Sequence, residues 1–191
     1  MLTQLSTIKS RLAVTVTDFD DLLTSAIKAV SARFDNECNR AFARAVNAIH
    51  EFSAEETELR PQCYPIESVS KFELKTSETG GWSEQPGVEF LLRRQCVVSL
   101  ALPLGTFHEQ ARLTYTGGYV LPGTTPAAGQ TALPDDLEQA AVEQVAYWYQ
   151  NRDKLGLIRI WPHDGTYETF AQLDLLRQVK AVLRKYERWN L

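Results

Sequence analysis

One uninterrupted apolar helix pattern constrains the fold of this 191-residue chain more than any other feature. It runs from Pro134 to Arg152 and reads LPDDLEQAAVEQVAYWYQNRD with one residue added at each end. Pro-Asp-Asp supplies a fixed φ angle and two carboxylates for the positive end of a helix, and no Pro or Gly follows until Gly156. We therefore expect a helix covered on several sides, with Trp148 among its core residues. Apolar side chains cover more than half of its circumference: Leu137, Ala141, Val142, Val145, Ala146, Trp148 and Tyr149.

Three other segments show helical spacing. A short helix follows Thr3, and a long one runs from Thr17 or Asp18 to about Asn39. The link between these two is short, so we expect a helical hairpin. A terminal helix begins at about Gln172, with an apolar face formed by Leu173, Leu176, Val179, Leu183 and Tyr186.

The middle of the chain has the period of strands. Alternation of apolar and polar residues begins after Phe42 and recurs in short runs up to Thr116, with turn signals such as SETGGW between them. This pattern predicts an antiparallel β region. The following Gly/Pro/Thr/Ala-rich stretch, 117–133, has no usable period and is predicted to be an exposed loop.

Together these patterns predict an α+β fold that is mainly a helical bundle, in which three longer helices and a short N-terminal one carry an inserted antiparallel β region. We predict a single domain over 1–191. Its segments are an N-terminal helical hairpin at 1–41, the β insertion at 42–116, the exposed loop at 117–133, and the central and C-terminal helices at 134–191.

Composition restricts the possible partners and location. A formal charge of -4 gives no overall attraction to nucleic acid or to anionic membranes. The longest apolar run, 96–104, is too short to span a bilayer, and the N-terminus lacks a signal-peptide pattern. We expect synthesis in the cytoplasm. The three cysteines, Cys38, Cys63 and Cys96, lack CxxC spacing and are interpreted as free thiols.

No set of residues makes a convincing catalytic centre. Cys38 with His50 could form a thiol and base pair, but a buried thiol and a strand histidine explain both residues more simply. Pro-His-Asp-Gly, containing His163 and Asp164, is foremost a turn sequence. Glu55, Glu56 and Glu58 lack the pattern of a calcium loop, and Gly117-Gly118 lacks that of a phosphate loop. We expect no enzyme activity, no cofactor and no metal.

The cations of the terminal helix allow two interpretations. They lie toward a helix C-terminus, where the helix dipole stabilises positive charge, and this alone could explain Lys185 and Arg188. Alternatively, they form a docking surface for an acidic partner or for nearby DNA, and a Trp near the chain end favours such a contact. The residues of this candidate surface are Arg177, Lys180, Arg184, Tyr186, Arg188, Trp189 and Leu191.

Four stretches carry a resemblance to a known family. They are the paired helices TQLSTIKSRLAVTVTDFDDLLTSAIKAVSARFDNECNRAF; the strand entry PIESVSKFEL; ARLTYTGGYVLPG followed by LPDDLEQAAVEQVAYWYQNRD; and the terminal VKAVLRKYERW. The third is the most specific. Together they resemble the phage head-tail connectors of the gp6-like type, in particular longer prophage versions with a β insertion. The 42–107 region and the loop before Pro134 match no fixed motif of that family.

The resemblance implies a non-enzymatic virion protein that forms a ring beneath the portal, extends the DNA channel and receives the head-closure protein or tail. Rings of the family generally follow the portal's symmetry, usually twelvefold. DNA would pass through the channel without specific binding, which fits the net acidity. The implied location is the virion, after assembly in the host cytoplasm, with no membrane contact.

Two other functions remain open from the sequence. A head-closure or tail-completion protein would also be structural but would attach to other neighbours. An intracellular enzyme or regulatory binding module is a more remote alternative.

Overall fold

The computed structural model describes residues 1–153 and 174–188, of which 29% are helical and 27% are in strands. The helices are α1 (Leu5–Leu12), α2 (Asp20–Glu37), α3 (Asp135–Gln150) and α4 (Arg177–Leu183). The strands are β1 (Ala45–Ser53), β2 (Glu58–Leu59), β3 (Ile66–Lys75), β4 (Ser83–Glu84), β5 (Phe90–Arg93), β6 (Val97–Leu100), β7 (Gln110–Gly117), β8 (Tyr119–Val120) and β9 (Thr131–Ala132).

The chain divides into two compact units. The first contains Met1–Cys38 and Pro134–Glu187, and the second contains Asn39–Leu133 and Arg188–Leu191. The second unit is therefore almost entirely an insertion between two parts of the first. The prediction of a single domain with four segments is not tested by this division and stays a prediction.

In the first unit the other helices pack on α3. As predicted, α3 follows Pro134 and carries acidic residues in its first turn, which suits the helix dipole. Its core face is fully buried, as at Leu137 and Val145. Polar contacts also join α3 to its neighbours. Thr3 Oγ1 donates to Glu138 at 3.3 Å, and the Leu176 amide donates to Gln144 Oε1 at 2.8 Å.

Two details of these helices differ from the prediction. Trp148 is only partly buried, because it lies two residues before α3 ends. The terminal helix begins at Arg177, since Leu176 has an extended backbone and its N–H is held by Gln144. Gln172 and Leu173, at the predicted start, lie outside the described residues.

The second unit is built from β-sheets. The long strand β7 lies between β1 and β3 in a four-stranded antiparallel sheet with the order β1-β7-β3-β4. A second antiparallel sheet has the order β2-β6-β5, and β8 pairs with β9 in parallel. The inner faces share one hydrophobic cluster, made of Phe52, Ala54, Leu59, Cys63, Ile66, Phe72, Val98, Leu100, Ala111, Leu113 and Tyr115.

The prediction that the fold is mainly a helical bundle is therefore wrong. Helices and strands contribute nearly equally to a mixed α+β fold. The β region is a major part of the fold. Its strand β7 is paired on both sides, and its sheets enclose a hydrophobic cluster. The helical share was overestimated because α4 has only 7 residues.

Candidate functional site

The predicted docking surface centres on α4, which is anchored by one apolar side. Val179 and Leu183 are buried, whereas Arg177 and Arg184 are exposed. Lys180 is held by Asp174 through an ion pair of 2.7 Å, and Arg33 pairs with the same carboxylate at 3.1 Å. The Lys180 hydrogen bond is the main cause that lowers the pKa of Asp174.

Lys180 and Arg184 line the same cleft on the first unit. The cleft encloses about 250 Å³ and is otherwise lined by Glu37, Leu183 and Glu187. Two cations and two carboxylates around one apolar residue suit a polar protein segment better than a small anionic ligand. This arrangement can provide orientation for a partner chain, since charged rims contribute more to specificity than to affinity.

Tyr186 is anchored inside the first unit. Its hydroxyl donates to Asp136 Oδ1 at 2.6 Å, and Lys185 Nζ lies 3.6 Å from the same carboxylate. Asp136 is in the first turn of α3, so this hydrogen bond ties the turn after α4 to the start of α3. Tyr186 is consequently a structural residue as well as a predicted surface residue.

Arg188 belongs to the second compact unit. Its Nη1 donates to the carbonyl oxygen of Asn39 at 3.5 Å. The pKa of His50 is lowered to about 4, mainly by burial and secondly by the charge of Arg188. Trp189 and Leu191, the other terminal members of the predicted surface, lie outside the described residues.

The candidates for catalysis have structural surroundings. Cys38 is buried and its thiol donates to the Leu183 carbonyl at 3.5 Å, while His50 stacks on Phe52 with 6.1 Å between ring centroids. His163 and Asp164 are outside the described residues. Within residues 1–153 and 174–188, no three His, Cys, Asp or Glu side chains are grouped to hold a metal ion. The same residues include no helix of the length and hydropathy needed to cross a membrane.

Ionic contacts organise the outer face of the four-stranded sheet. Arg112 donates to both oxygens of the Glu73 carboxylate, at 2.7 and 3.0 Å, and Lys71 Nζ lies 3.1 Å away. The Arg112 hydrogen bond is the main cause that lowers the pKa of Glu73 to about 2. The guanidinium also lies 4.4 Å from the Trp82 ring centroid. The carboxylate of Glu73 is therefore paired with two cations of its own sheet.

Sequence reasoning missed exposed apolar side chains on two strands at sheet edges. Val46 and Ile49 lie on β1, and Leu91 lies on β5 between the less exposed Phe90 and Leu92. A signal was present in the consecutive apolar residues of Phe-Leu-Leu, because one side of such a strand must face away from the core. Which of these three residues faces away from the core could be decided only from the pairing of β5 with β6.

Solved structures with the same fold exist. A chain in the neck of an empty gene transfer agent (GTA) particle, computed with C6 symmetry, has a TM-score of 0.61 and 15% sequence identity; the match covers 98% of this chain and 90% of that chain. A chain in the virion of a native GTA particle has a TM-score of 0.60 at 15% identity, with the same coverage. At this identity the similarity establishes the fold alone. No protein-family model and no curated protein matches the sequence.

Proposed function

We propose that this protein is a structural component of a phage-like particle, located in the neck between head and tail. The observation that carries the proposal is the similarity over 98% of the chain to a chain in the neck of a GTA particle. The head-tail motifs in the sequence support it independently, since they were recognised from residues rather than from the fold.

Within that class we propose a head-tail connector of the gp6-like type, an adaptor that forms a ring beneath the portal. The ring extends the DNA channel and receives the head-closure protein or the tail. The α4 surface supports a role in docking, because Arg177 and Arg184 are exposed while the opposite side of the helix is buried. We propose this surface, with Trp189 and Leu191, as the contact with the portal.

A twelvefold ring agrees with the symmetry used for the similar particle. Every twelvefold ring also obeys sixfold symmetry, so a neck computed with C6 symmetry is compatible with six or twelve copies. A cyclic ring joins one patch of each copy to a different patch of the next. We propose twelve copies, matched to the portal.

Binding to the cognate portal tests this function. The full-length chain is mixed with purified portal, and complexes are measured by mass photometry and negative-stain imaging. We expect a ring seated on one end of the portal. The double substitution Arg177→Glu and Arg184→Glu should weaken binding, because it reverses two exposed charges without touching the buried side of α4.

Lys28→Glu is the matched control, since Lys28 is an exposed cation on α2. It should leave portal binding unchanged. Failure of the unmodified chain to bind portal, together with binding to a preformed adaptor ring or to tails, would contradict the adaptor assignment and favour a head-closure or tail-completion protein.

A further inference from the structure

Among the described residues six strands of the second unit pair on one side only, and the two longest of them are β1 and β5. β1 pairs with β7, and β5 pairs with β6. The outer N–H and C=O groups of such strands can pair with another chain. Soluble proteins commonly protect edges with charges, Pro or bulges. The bulge in β1 lies between Ala45 and Ala48, so the remainder of that strand keeps a regular edge.

Both edges present apolar side chains away from the core. Ile49 is 57% exposed on β1, and Leu91 is 68% exposed on β5. Their neighbours in sequence face inward: His50 stacks on Phe52, and Phe90 contacts Phe72 with 5.6 Å between ring centroids. Ile49 and Leu91 thus occupy the outer faces of their sheets, where they would lie side by side if the two edges joined.

The charges that follow these residues are complementary. On the outer faces Ile49 is followed two residues later by Glu51, and Leu91 by Arg93, and both charged residues are exposed. Parallel pairing with Ile49 beside Leu91 brings Glu51 beside Arg93. Antiparallel pairing about the same residues would instead bring Glu51 beside Glu89. Opposite charges on neighbouring strands stabilise a sheet, whereas like charges destabilise it.

We propose that β1 of one copy pairs in parallel with β5 of the next copy, so that the second unit forms a continuous sheet contact around the ring. This inference rests on the proposed function, because a ring supplies the second copy. The contact is heterologous, as a ring requires, and it covers both apolar edges of every copy. Pairing of β5 with β5 would give a twofold dimer and leave the edge of β1 uncovered.

The pairing fixes the register of neighbours rather than supplying the whole interface. β5 has 4 residues, whereas stable interfaces bury about 1,200–2,000 Å² in total. Closing the ring repeats the same contact between all adjacent copies.

Cysteine cross-linking tests the pairing in the full-length chain. A Cys96→Ser background removes the partly exposed thiol, while Cys38 and Cys63 are buried. Chains carrying Ile49→Cys are mixed with chains carrying Leu91→Cys, at high concentration and on the portal, and oxidised. Neighbouring strands bring such side chains within disulfide reach, so we expect a cross-linked pair only in the mixture.

Leu102→Cys is the matched control, because Leu102 is 75% exposed but lies on no strand. Mixed with Ile49→Cys it should give no cross-link. Cross-linking of Leu91→Cys chains with each other would overturn the proposal in favour of a β5-to-β5 dimer. Absence of the mixed cross-link in concentrated protein and on the portal would overturn it as well.

A charge exchange gives a second test. Arg93→Glu should weaken self-association, and adding Glu51→Arg should restore it. Arg93 also pairs with Glu58 of its own chain at 3.0 Å, so Glu58→Gln serves as the control and should leave assembly unchanged. Glu51 lies opposite Arg112 of its own chain, so the thermal stability of the double variant is compared with that of Arg93→Glu. Failure of Glu51→Arg to rescue assembly at equal stability would overturn the pairing.

These outcomes are separate from those for the proposed function. Portal-bound rings without the mixed cross-link contradict the strand pairing alone. The mixed cross-link in a protein that does not bind portal contradicts the adaptor function and leaves the pairing intact.

Discussion

Glu73 shows how a single residue can make the stability of the second unit depend on pH. Its side chain is 8% exposed and its carboxylate is held by Arg112 and Lys71. The pKa in the folded protein is about 2, compared with 4.5 for an ordinary glutamate. As the pH falls, the unfolded chain therefore binds this proton before the folded chain does. The stabilisation is complete above pH 4.5 and is lost as the pH falls through about 2.

We predict that Glu73→Gln lowers the free energy of unfolding at pH 7 by about 1.5–3 kcal/mol, the usual contribution of a hydrogen bond to a charged group. The substitution should also flatten the dependence of that free energy on pH between 4.5 and about 2. Urea denaturation at a series of pH values measures both effects. If the free energy of unfolding of Glu73→Gln still falls between pH 4.5 and about 2 as steeply as that of the unmodified protein, the Arg112 contact does not hold the carboxylate.

His50 also makes stability depend on pH, but over a different pH range from Glu73. Its pKa is lowered from 6.5 to about 4, so protonation of the unfolded chain reduces stability as the pH falls from 6.5 to about 4. Glu73→Gln should lower the free energy of unfolding here too, but should leave its slope between pH 6.5 and 4.5 unchanged.

At this scale the sequence predicts burial better than pairing. Leu137 and Val145 were predicted to lie in the core from helical spacing alone, and both are confirmed as fully buried. The contact between Glu73 and Arg112 could not be predicted, because it depends on the register of β3 against β7. Register brings together residues that are distant in sequence, and a local pattern contains no such information.

The element that organises the first unit is α3, and its two ends differ in burial. Leu137 is fully buried near the start, whereas Trp148 near the end is partly exposed. We predict that Leu137→Ala costs about 2–5 kcal/mol of unfolding free energy. Trp148→Ala should cost less than the about 3–5 kcal/mol typical of a fully buried aromatic residue.

Chemical denaturation followed by far-ultraviolet circular dichroism compares these variants. Gln139→Ala is the control on the same helix, since Gln139 is exposed, and should change stability by less than about 0.5 kcal/mol. A larger loss for Trp148→Ala than for Leu137→Ala would show that the end of α3 is packed more tightly than its start.

Long elements could be predicted from their periodicity, whereas strands of two residues could not. The pattern from Pro134 to Arg152 agrees with α3, which runs from Asp135 to Gln150. The strands β8 and β9 have 2 residues each, too few to show alternation, and they lie in a stretch rich in turn residues. Their parallel pairing depends on where the chain returns, which composition does not specify.

For the whole molecule, the mixed fold follows from an inserted segment that has a hydrophobic cluster of its own. Every residue of the cluster in the second unit comes from Phe52 to Tyr115, inside the inserted segment. The sequence indicated both helices and strands, but their proportion could not be predicted, because it depends on how the strands join into sheets. The sheets share a hydrophobic cluster that includes no residue of the helices.

We predict that the excised segment 39–133 folds by itself, because its hydrophobic cluster and sheets are complete within it. It is longer than the about 55–65 residues that suffice for many small domains. Cooperative thermal unfolding and dispersed amide signals in nuclear magnetic resonance spectra would support this expectation. A fragment without cooperative unfolding would favour the single-domain prediction for 1–191.

The short parallel ladder of β8 and β9 also has an evolutionary consequence. Tyr119 pairs with Thr131 and Val120 with Ala132. The two ends of the loop 121–130 are therefore held next to each other. Doubling the length of a flexible loop costs only about 0.6 kcal/mol when its ends are already held together. Insertions and deletions should therefore accumulate in 121–130 as related particles diverge, while the ladder beneath them persists.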